Sequence, residues 1–513
     1  MPLESPRLLP AATLWQRFAP RLLLLALALP DLLAPPISPT ILRQTQTYAQ
    51  TVGLIAAGFS PAGQTLDING PTPFHVVHEF PIYNAAVGSL FLAFGASFFW
   101  GKLVSLLATL AGLAVFLRLV RKHAGAAVAL RAGLLYASVP ILLLLATAFQ
   151  PDALALLFTL LGVSELIRWR VASTPFRWIL FLVCLLAAGL AKFPLVVPFL
   201  PLLLAGVLSR DGHWRWPSWF EIISTVVIFL VPFVTWYTYR TRLIDPSYLA
   251  GEQASFFVGD LRRFLHASYY AKPVFILGAM VCCGAGVVLV VAGLRHATRT
   301  GWLLVAGAAL YFVLIPTAAD QTYYALPLVP LAALLMAQGM VRLEEAASAP
   351  RRRLVRAAIV IAWLAGFAVA APYTLRQDRV TLDAAEAVAR LSRRDDLLFV
   401  MNMHDRGVGI GQFNPSIVTL AHRRGWNVHF DSVDPALLRA QIEARRQEGA
   451  RWVVATWFTP ELDPWFASAL PASFSRCPRF QNLPVDGQAI VAELEHDFPV
   501  AAKGTNYSIL RLD

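Results

Sequence analysis

Charge is what this sequence has least of. Only 14% of its residues are Asp, Glu, Lys or Arg, against about 25% in soluble globular chains, while 57% are hydrophobic. A water-exposed surface for 513 residues cannot be built at that ratio, which excludes an ordinary soluble fold for the bulk of the chain. Cysteine is scarce as well. Of the four, Cys184, Cys282 and Cys283 stand inside apolar runs, where cysteine behaves as a small hydrophobe. Cys477 alone falls in the polar C-terminal part, so neither a disulfide framework nor a Cys/His metal spacing is expected. The sequence has no phosphate-loop signature, which argues against an ATP-driven pump, and no internal repeat. Arg7, Arg17 and Arg21 precede the apolar run Leu22 to Leu29 as in a signal peptide, but Pro30 and Asp31 follow where a small-residue cleavage site would stand. That pattern reads as an uncleaved first span.

What is present is a series of apolar runs of membrane-crossing length, about 20 residues each. They predict a polytopic α-helical membrane protein with about eleven transmembrane helices. The expected spans lie at about 18–34, 98–120, 126–147, 150–168, 176–192, 194–208, 219–239, 273–294, 301–318, 325–341 and 357–373. The net charge of +12 could suggest nucleic acid, yet the basic residues sit in short clusters between runs. Arg118, Arg121 and Lys122 form one such cluster, and Arg351, Arg352, Arg353 and Arg356 another. All fall on one side of the membrane, as the positive-inside rule requires. An odd number of spans then places the N-terminus in the cytoplasm and the C-terminus outside, in a bacterial inner membrane.

Two regions interrupt the helices. The first outer loop, 35–97, is polar to about residue 80, and its apolar 82–94 is too short to cross, as in a helix lying at the interface. From about 378 the apolar segments shorten to Leu397–Val400, Trp426–Phe430 and Arg451–Thr456, separated by helical patterns near 415–423 and 434–447. This predicts a transmembrane domain over 1–375 and a small periplasmic α/β domain over 376–513. The stretch Gly407-Val408-Gly409-Ile410-Gly411-Gln412 lacks the full dinucleotide fingerprint.

Ionisable residues are costly near membrane helices, so those on the outer face are informative. Glu79, in Val77-His78-Glu79-Phe80-Pro81-Ile82-Tyr83, either complements a helix dipole or acts as a base or metal ligand. Asp152 follows Pro151 at a helix start, where carboxylates are common. Lys192 either snorkels from a helix end or holds a phosphate. Arg43-Gln44-Thr45-Gln46-Thr47 reads first as a solvated loop, and second as an arginine among amides suited to an anionic head group. His75 and His78 read as loop residues or ligands, and Asp31 as a helix-end residue or a further site carboxylate. Asp320-Gln321-Thr322-Tyr323-Tyr324 combines an acid with interfacial aromatics, which are anchors or a sugar-binding surface.

Taken together, these motifs resemble the lipid-carrier-dependent glycosyltransferases of the C-type fold. The nearest resemblance is to glycosyltransferase family 39, which holds protein mannosyltransferases and aminoarabinose transferases. It rests on Arg43 to Thr47 with Glu79 to Tyr83, on Pro151-Asp152, and on Tyr323-Tyr324-Ala325-Leu326-Pro327-Leu328-Val329-Pro330. The resemblance spans roughly residues 15–340. It implies inverting transfer of a sugar from a polyprenyl-phosphate carrier to a lipid, glycan or protein acceptor at the outer face. It further implies Glu79, Asp152 or Asp31 as catalytic carboxylates. Arg43, Gln44, Gln46, Lys192, Asp320, Tyr323 and Tyr324 would bind substrate, and a divalent metal at Glu79 and His78 stays open. The chain departs from the family at Arg43-Gln44, where many members carry an acidic pair, and at Gln321, where histidine is expected. The base is therefore Asp31, Glu79 or neither. Two other readings remain, a transporter or flippase of a lipid-linked or anionic solute, and an inactive scaffold.

Overall fold

The computed structural model describes residues 14–36, 40–210, 213–248, 270, 273–295, 297–315, 322–375, 379–402, 414–428, 435–457 and 487–512. Asp320, Gln321, the Gly407–Gln412 stretch and Cys477 lie outside the described residues.

The protein is mostly helical. Among the described residues five helices are long and apolar enough to cross a membrane: Phe98–Ala137, Pro175–Leu195, Trp219–Leu243, Thr322–Ala346 and Ala349–Ala371. A sixth span forms if Pro273–Val281 and Gly286–Leu294, which meet at 100°, are taken as one. The remaining apolar stretches of the sequence are divided more finely. Ile82–Phe94, Val197–Leu208 and Arg299–Leu314 are apolar but shorter. Helix α1 (Leu14–Leu33) buries Leu24, Ala28 and Leu32 against the core and leaves Leu22, Leu25 and Leu29 exposed. Leu354, Ile361 and Leu364 of Ala349–Leu375 are likewise exposed. Outward leucines on helices of this length fit lipid rather than water.

Helix α2 (Ile41–Ala56) corrects one expectation. Gln44, Thr45, Gln46, Thr47, Gln50 and Thr51 are buried on a helix, not solvated in a loop. Burial is tolerated because the polar groups find partners. Thr45, Thr47 and Thr51 donate to the carbonyls of Ile41, Arg43 and Thr47. The Gln44 amide oxygen accepts from the Phe149 backbone N–H, and the Gln50 amide donates to the Val76 carbonyl. Helix α3 (Ile82–Phe94) forms over the apolar stretch that is too short to cross a membrane. Its Asn84 amide donates to the Thr47 carbonyl and the Thr51 hydroxyl, locking α3 to α2.

Helix α4 (Phe98–Ala137) is 40 residues long but has two legs, because Gly125 leaves the helical region with φ 88°. That break stands just after Arg121 and Lys122, where the sequence predicts a turn. Helix α5 (Pro140–Ala146) is buried throughout. Helices α6 (Asp152–Val171) and α7 (Pro175–Lys192) pack along one another. Short 3-10 turns at Phe193–Leu195 and Val197–Phe199 then lead into α8 (Leu200–Leu208).

Two short hairpins precede the main sheet. The first pairs β1 (Thr65–Leu66) with β2 (Phe74–His75), and the second pairs β3 (Ser209–Arg210) with β4 (His213–Trp214). The five-stranded sheet is built from β5 (Leu397–Asn402), β6 (Arg424–Asn427), β7 (Ala450–Thr456), β8 (Val500–Lys503) and β9 (Tyr507–Arg511), in the order β6-β5-β7-β9-β8. Strands β6, β5 and β7 run parallel, while β9 is antiparallel to both β7 and β8. The period-2 alternation of a strand sorts its side chains. Leu398 and Val400 join a core shared with Arg379–Leu391 and the first outer loop, whereas Phe399 and Met401 face Leu438, Ile442, Val491 and Leu494.

The segment between α2 and α3 covers the open edge of this sheet at β6, a common way to protect an unpaired strand. Gly70 N–H donates to the Gly425 carbonyl (2.8 Å), Gly425 N–H to the Asp67 carbonyl (3.1 Å), and Arg424 pairs with Asp67 at 3.5 Å. Gly70 sits at φ +64°, and a Cβ there would lie 2.1 Å from the Trp426 ring. Gly70→Ala is therefore expected to weaken this contact by about 1–3 kcal/mol, read as faster amide exchange at Gly70 and Gly425. Unchanged exchange at both would show that the loop absorbs the methyl.

Candidate active site

The site is assembled from the ends of helices. Phe80 N–H donates to the Leu190 carbonyl at 3.0 Å, which pins the segment before α3 against the last turn of α7. Glu79 and Lys192, far apart in sequence, are brought to the same region by that one backbone contact.

Two ion pairs lie in this region. The Arg43 guanidinium donates through one nitrogen to both Glu79 carboxylate oxygens, at 2.6 and 2.7 Å. The Arg43 and Glu79 side chains are 12% and 18% exposed, so a ligand can still reach them. Burial opposes the Arg43 charge, but Glu79 and then Tyr323, Tyr248 and Tyr324 outweigh it, and its pKa is raised. The Lys192 ammonium donates to both oxygens of Asp152, at 2.9 and 2.8 Å, and this pair is 3% and 1% exposed. Its Nζ also lies 4.5 Å from the Tyr323 ring centre and 5.4 Å from that of Tyr324, within cation–π range. The two rings are 4.7 Å apart, and the Tyr324 carbonyl accepts from the Tyr311 hydroxyl. Tyr323 thus stands against the Lys192–Asp152 pair.

His78 completes the outer wall with Tyr248, whose hydroxyl lies 3.3 and 3.2 Å from the two ring nitrogens. Arg240 donates to the Val77 carbonyl just behind it. Burial first, then the charges of Arg43, Arg240 and Lys192, hold the His78 pKa well below its ordinary 6.5. The unfolded chain thus takes up a proton below about pH 6.5 that the folded chain refuses, so this group lowers stability as pH falls through that value. His78→Gln is expected to flatten the loss of thermal stability below about pH 6.5. A slope equal to that of the parent protein would assign the loss to other groups.

The remaining sequence candidates divide. Gln46 accepts from Arg43 at 3.4 Å and so belongs to the site. Gln44 braces the connector before α6 through Phe149. Asp31 is engaged elsewhere. Its carboxylate accepts from Thr147 at 2.5 Å and from Lys102 at 3.4 Å, and Lys102 also donates to the carbonyls of Asp31 and Ala34. For metal binding, Glu79 is held by Arg43 and His78 by Tyr248. Among the described residues no three His, Cys, Asp or Glu side chains converge.

Two residues, Tyr248 and Arg240, join the region although the motifs alone did not single them out, and a third, Lys102, holds Asp31. Lys102 is a lone lysine within an apolar run, a signal open to direct reading, and it is 1% exposed. Tyr248 and Arg240 had no such signal. The connector Thr147 to Pro151 also carries Gln150, whose amide oxygen and nitrogen are both buried without a hydrogen-bond partner, two positions before Asp152. Ser105 fixes this connector by donating to the Ala148 carbonyl at 2.6 Å and the Gln150 carbonyl at 3.2 Å.

The family model described as dolichyl-phosphate-mannose-protein mannosyltransferase matches residues 80–239, a segment that starts directly after Glu79 and contains Asp152 and Lys192. Among solved structures, ArnT from Cupriavidus metallidurans bound to undecaprenyl phosphate aligns with a TM-score of 0.58 at 13% identity, covering 98% of each chain. Its apo state gives 0.56 at 13% identity, over 95% of this chain and 97% of that one. The Archaeoglobus fulgidus oligosaccharyltransferase in its apo form gives 0.56 at 13% identity, over 86% of this chain and 69% of that one. No curated protein matches the chain in sequence. The chain thus has the C-type glycosyltransferase fold, and its segment 80–239 is similar to the dolichyl-phosphate-mannose-protein mannosyltransferase family.

Proposed function

We propose that this chain is an integral membrane glycosyltransferase that moves a sugar from a polyprenyl-phosphate carrier to an acceptor hydroxyl at the outer face. The observation that carries the reading is the pairing of two carboxylates, Glu79 and Asp152, with two cations, Arg43 and Lys192, in a region joined by the Phe80–Leu190 backbone bond. Such a transfer needs a base for the acceptor and positive charge for the departing phosphate. Glu79, the more exposed carboxylate, takes the proton of the acceptor hydroxyl. The acceptor oxygen attacks the anomeric carbon from the side opposite the phosphate, the carbon–oxygen bond to phosphate breaks, and the phosphate oxygen keeps the electron pair. Inversion follows from that in-line geometry. Arg43 and Lys192 hold the released charge, and Asp152 keeps Lys192 in place.

A polyprenyl-phosphate donor suits this site because a lipid carrier supplies the phosphate where nucleotide sugars are not available. The ArnT structure that shares the fold is bound to undecaprenyl phosphate. In this reading the chain has about eleven spans, with its N-terminus cytoplasmic, and residues 376–513 form a periplasmic domain on a bacterial inner membrane. The 100° break between Pro273–Val281 and Gly286–Leu294 favours a second reading, transport, because transporters use broken helices. Against it, the charged groups stand at helix ends: Asp152 opens α6 and Lys192 closes α7. The test is incubation of purified protein with radiolabelled polyprenyl-phosphate sugars and a membrane extract. Label is expected to appear in the acceptor, and movement of the donor across the bilayer without transfer would overturn the proposal.

A further inference from the structure

A cavity lies away from the two ion pairs, between the first outer loop and the five-stranded sheet. It measures about 280 Å³, and its walls include Asn69, Phe399, Trp426, Asn427, Gln441 and Arg445. Neither Glu79 nor Asp152 contributes to it. Its size is just below the about 300–1,000 Å³ of drug-sized sites, which suits one or two small rings and not a lipid chain.

The wall chemistry narrows the ligand. Three planar amides, Asn69, Asn427 and Gln441, offer donors and acceptors side by side. The amide oxygen of Asn427 is buried with no hydrogen-bond partner, and its nitrogen is committed to the Asn414 carbonyl. A buried acceptor left unmet in this way is costly, and a ligand hydroxyl at the cavity wall is one donor that would meet it. An anion is disfavoured. Among the described residues Arg445 is the one cation in the wall, and it already donates to both Glu448 oxygens at 2.7 and 2.6 Å while covering the Trp426 ring at 5.4 Å. Amides beside aromatic carbon, with the charge neutralised, match the mixed polar and apolar faces of an uncharged sugar.

The cavity is also coupled to the candidate active site. Ser247 lines it, and the next residue, Tyr248, bonds His78. Phe74 lines it as well, and five residues of chain from Phe74 to Glu79 span at most about 17 Å.

We propose that this cavity is an acceptor subsite that binds a neutral saccharide, holding one part of a glycan while another part presents its hydroxyl to Glu79. The coupling to Glu79 rests on the transferase reading, whereas saccharide binding does not. The test uses the full-length purified protein, with maltotriose, cellotriose and mannotriose as neutral probes and trigalacturonate as the acidic one, followed by saturation-transfer NMR at millimolar concentration. At least one neutral probe is expected to bind. Ala444→Trp, which fills the cavity from an exposed wall position, should abolish that binding with the thermal unfolding midpoint unchanged. Gln441→Ala should weaken it about tenfold, the loss of one hydrogen bond. Binding that survives Ala444→Trp, tighter binding of trigalacturonate, or no binding by any neutral probe would overturn the proposal. Glu79→Gln should leave saccharide binding intact. If that variant still transfers sugar while Ala444→Trp loses binding, the transferase role of Glu79 fails and the subsite stands.

Discussion

Glu79→Gln is expected to lower sugar transfer by about 10²–10⁴-fold, the usual contribution of a general base. The substitution is chosen because it keeps the shape of the side chain and leaves one carbonyl oxygen to accept from Arg43. The wild-type pair spans 2.6 and 2.7 Å with both side chains partly exposed, so the fold should tolerate the loss of one acceptor. In the resting protein Arg43 holds both Glu79 oxygens, and a carboxylate so occupied is a poor base. A donor phosphate changes that, because phosphate competes for the same guanidinium. In the proposed mechanism Arg43 would turn to the phosphate and release Glu79 toward the acceptor, so that base and charge stabiliser become active in the same step. The expectation that follows is a split in kinetics. Glu79→Gln should act on kcat, while Arg43→Gln should raise KM for the donor and lower kcat together. Steady-state kinetics with a labelled donor decide it. If Glu79→Gln keeps kcat within a factor of two or so of wild type, the base lies elsewhere, and Asp152, the other carboxylate of the site, becomes the next to replace.

How much of this was legible beforehand depended on whether a feature was local. Helix α3 and strands β5 and β7 follow from periodicity within a few residues, and the structure places them at Ile82–Phe94, Leu397–Asn402 and Ala450–Thr456. Helix α2 was misread because Gln and Thr in a row look solvated. Only the tertiary partners, Phe149, Val76 and Asn84, make their burial affordable. The expected break after Lys122 was present, but as a kink at Gly125 within one long helix and not as a loop. For the site, the motifs marked Glu79, Asp152, Lys192 and Tyr323 singly. Their convergence needs the Phe80–Leu190 hydrogen bond across more than a hundred residues, which no local pattern encodes. Lys102 was available to a stricter reading, since a lysine in an apolar run must find partners, and here it finds Asp31 and two carbonyls. Strands β8 and β9 (Val500–Lys503 and Tyr507–Arg511) are too short to stand out from the polar C-terminal sequence.

The Lys192–Asp152 pair should give the largest loss of stability, and a double-mutant cycle separates that loss from the chemistry. Both partners are almost wholly enclosed, at 3% and 1% exposure. Lys192→Met strands a buried carboxylate and Asp152→Leu strands a buried ammonium, each expected to cost about 3–5 kcal/mol. Replacing both at once removes the two charges together, and such apolar substitutes are commonly neutral or stabilising. The double variant should therefore recover the thermal midpoint that either single variant loses. Transfer should not recover with it, because the ammonium that faces Tyr323 and Tyr324 is gone, and with it one of the two charges available to the departing phosphate. A double variant that regains both midpoint and transfer would assign the pair to architecture, leaving Arg43 as the charge that meets the donor. Stability alone cannot distinguish these outcomes, since a buried ion pair destabilises when broken whatever its purpose. The difference between recovered folding and unrecovered transfer is the quantity that identifies Lys192 as part of the site.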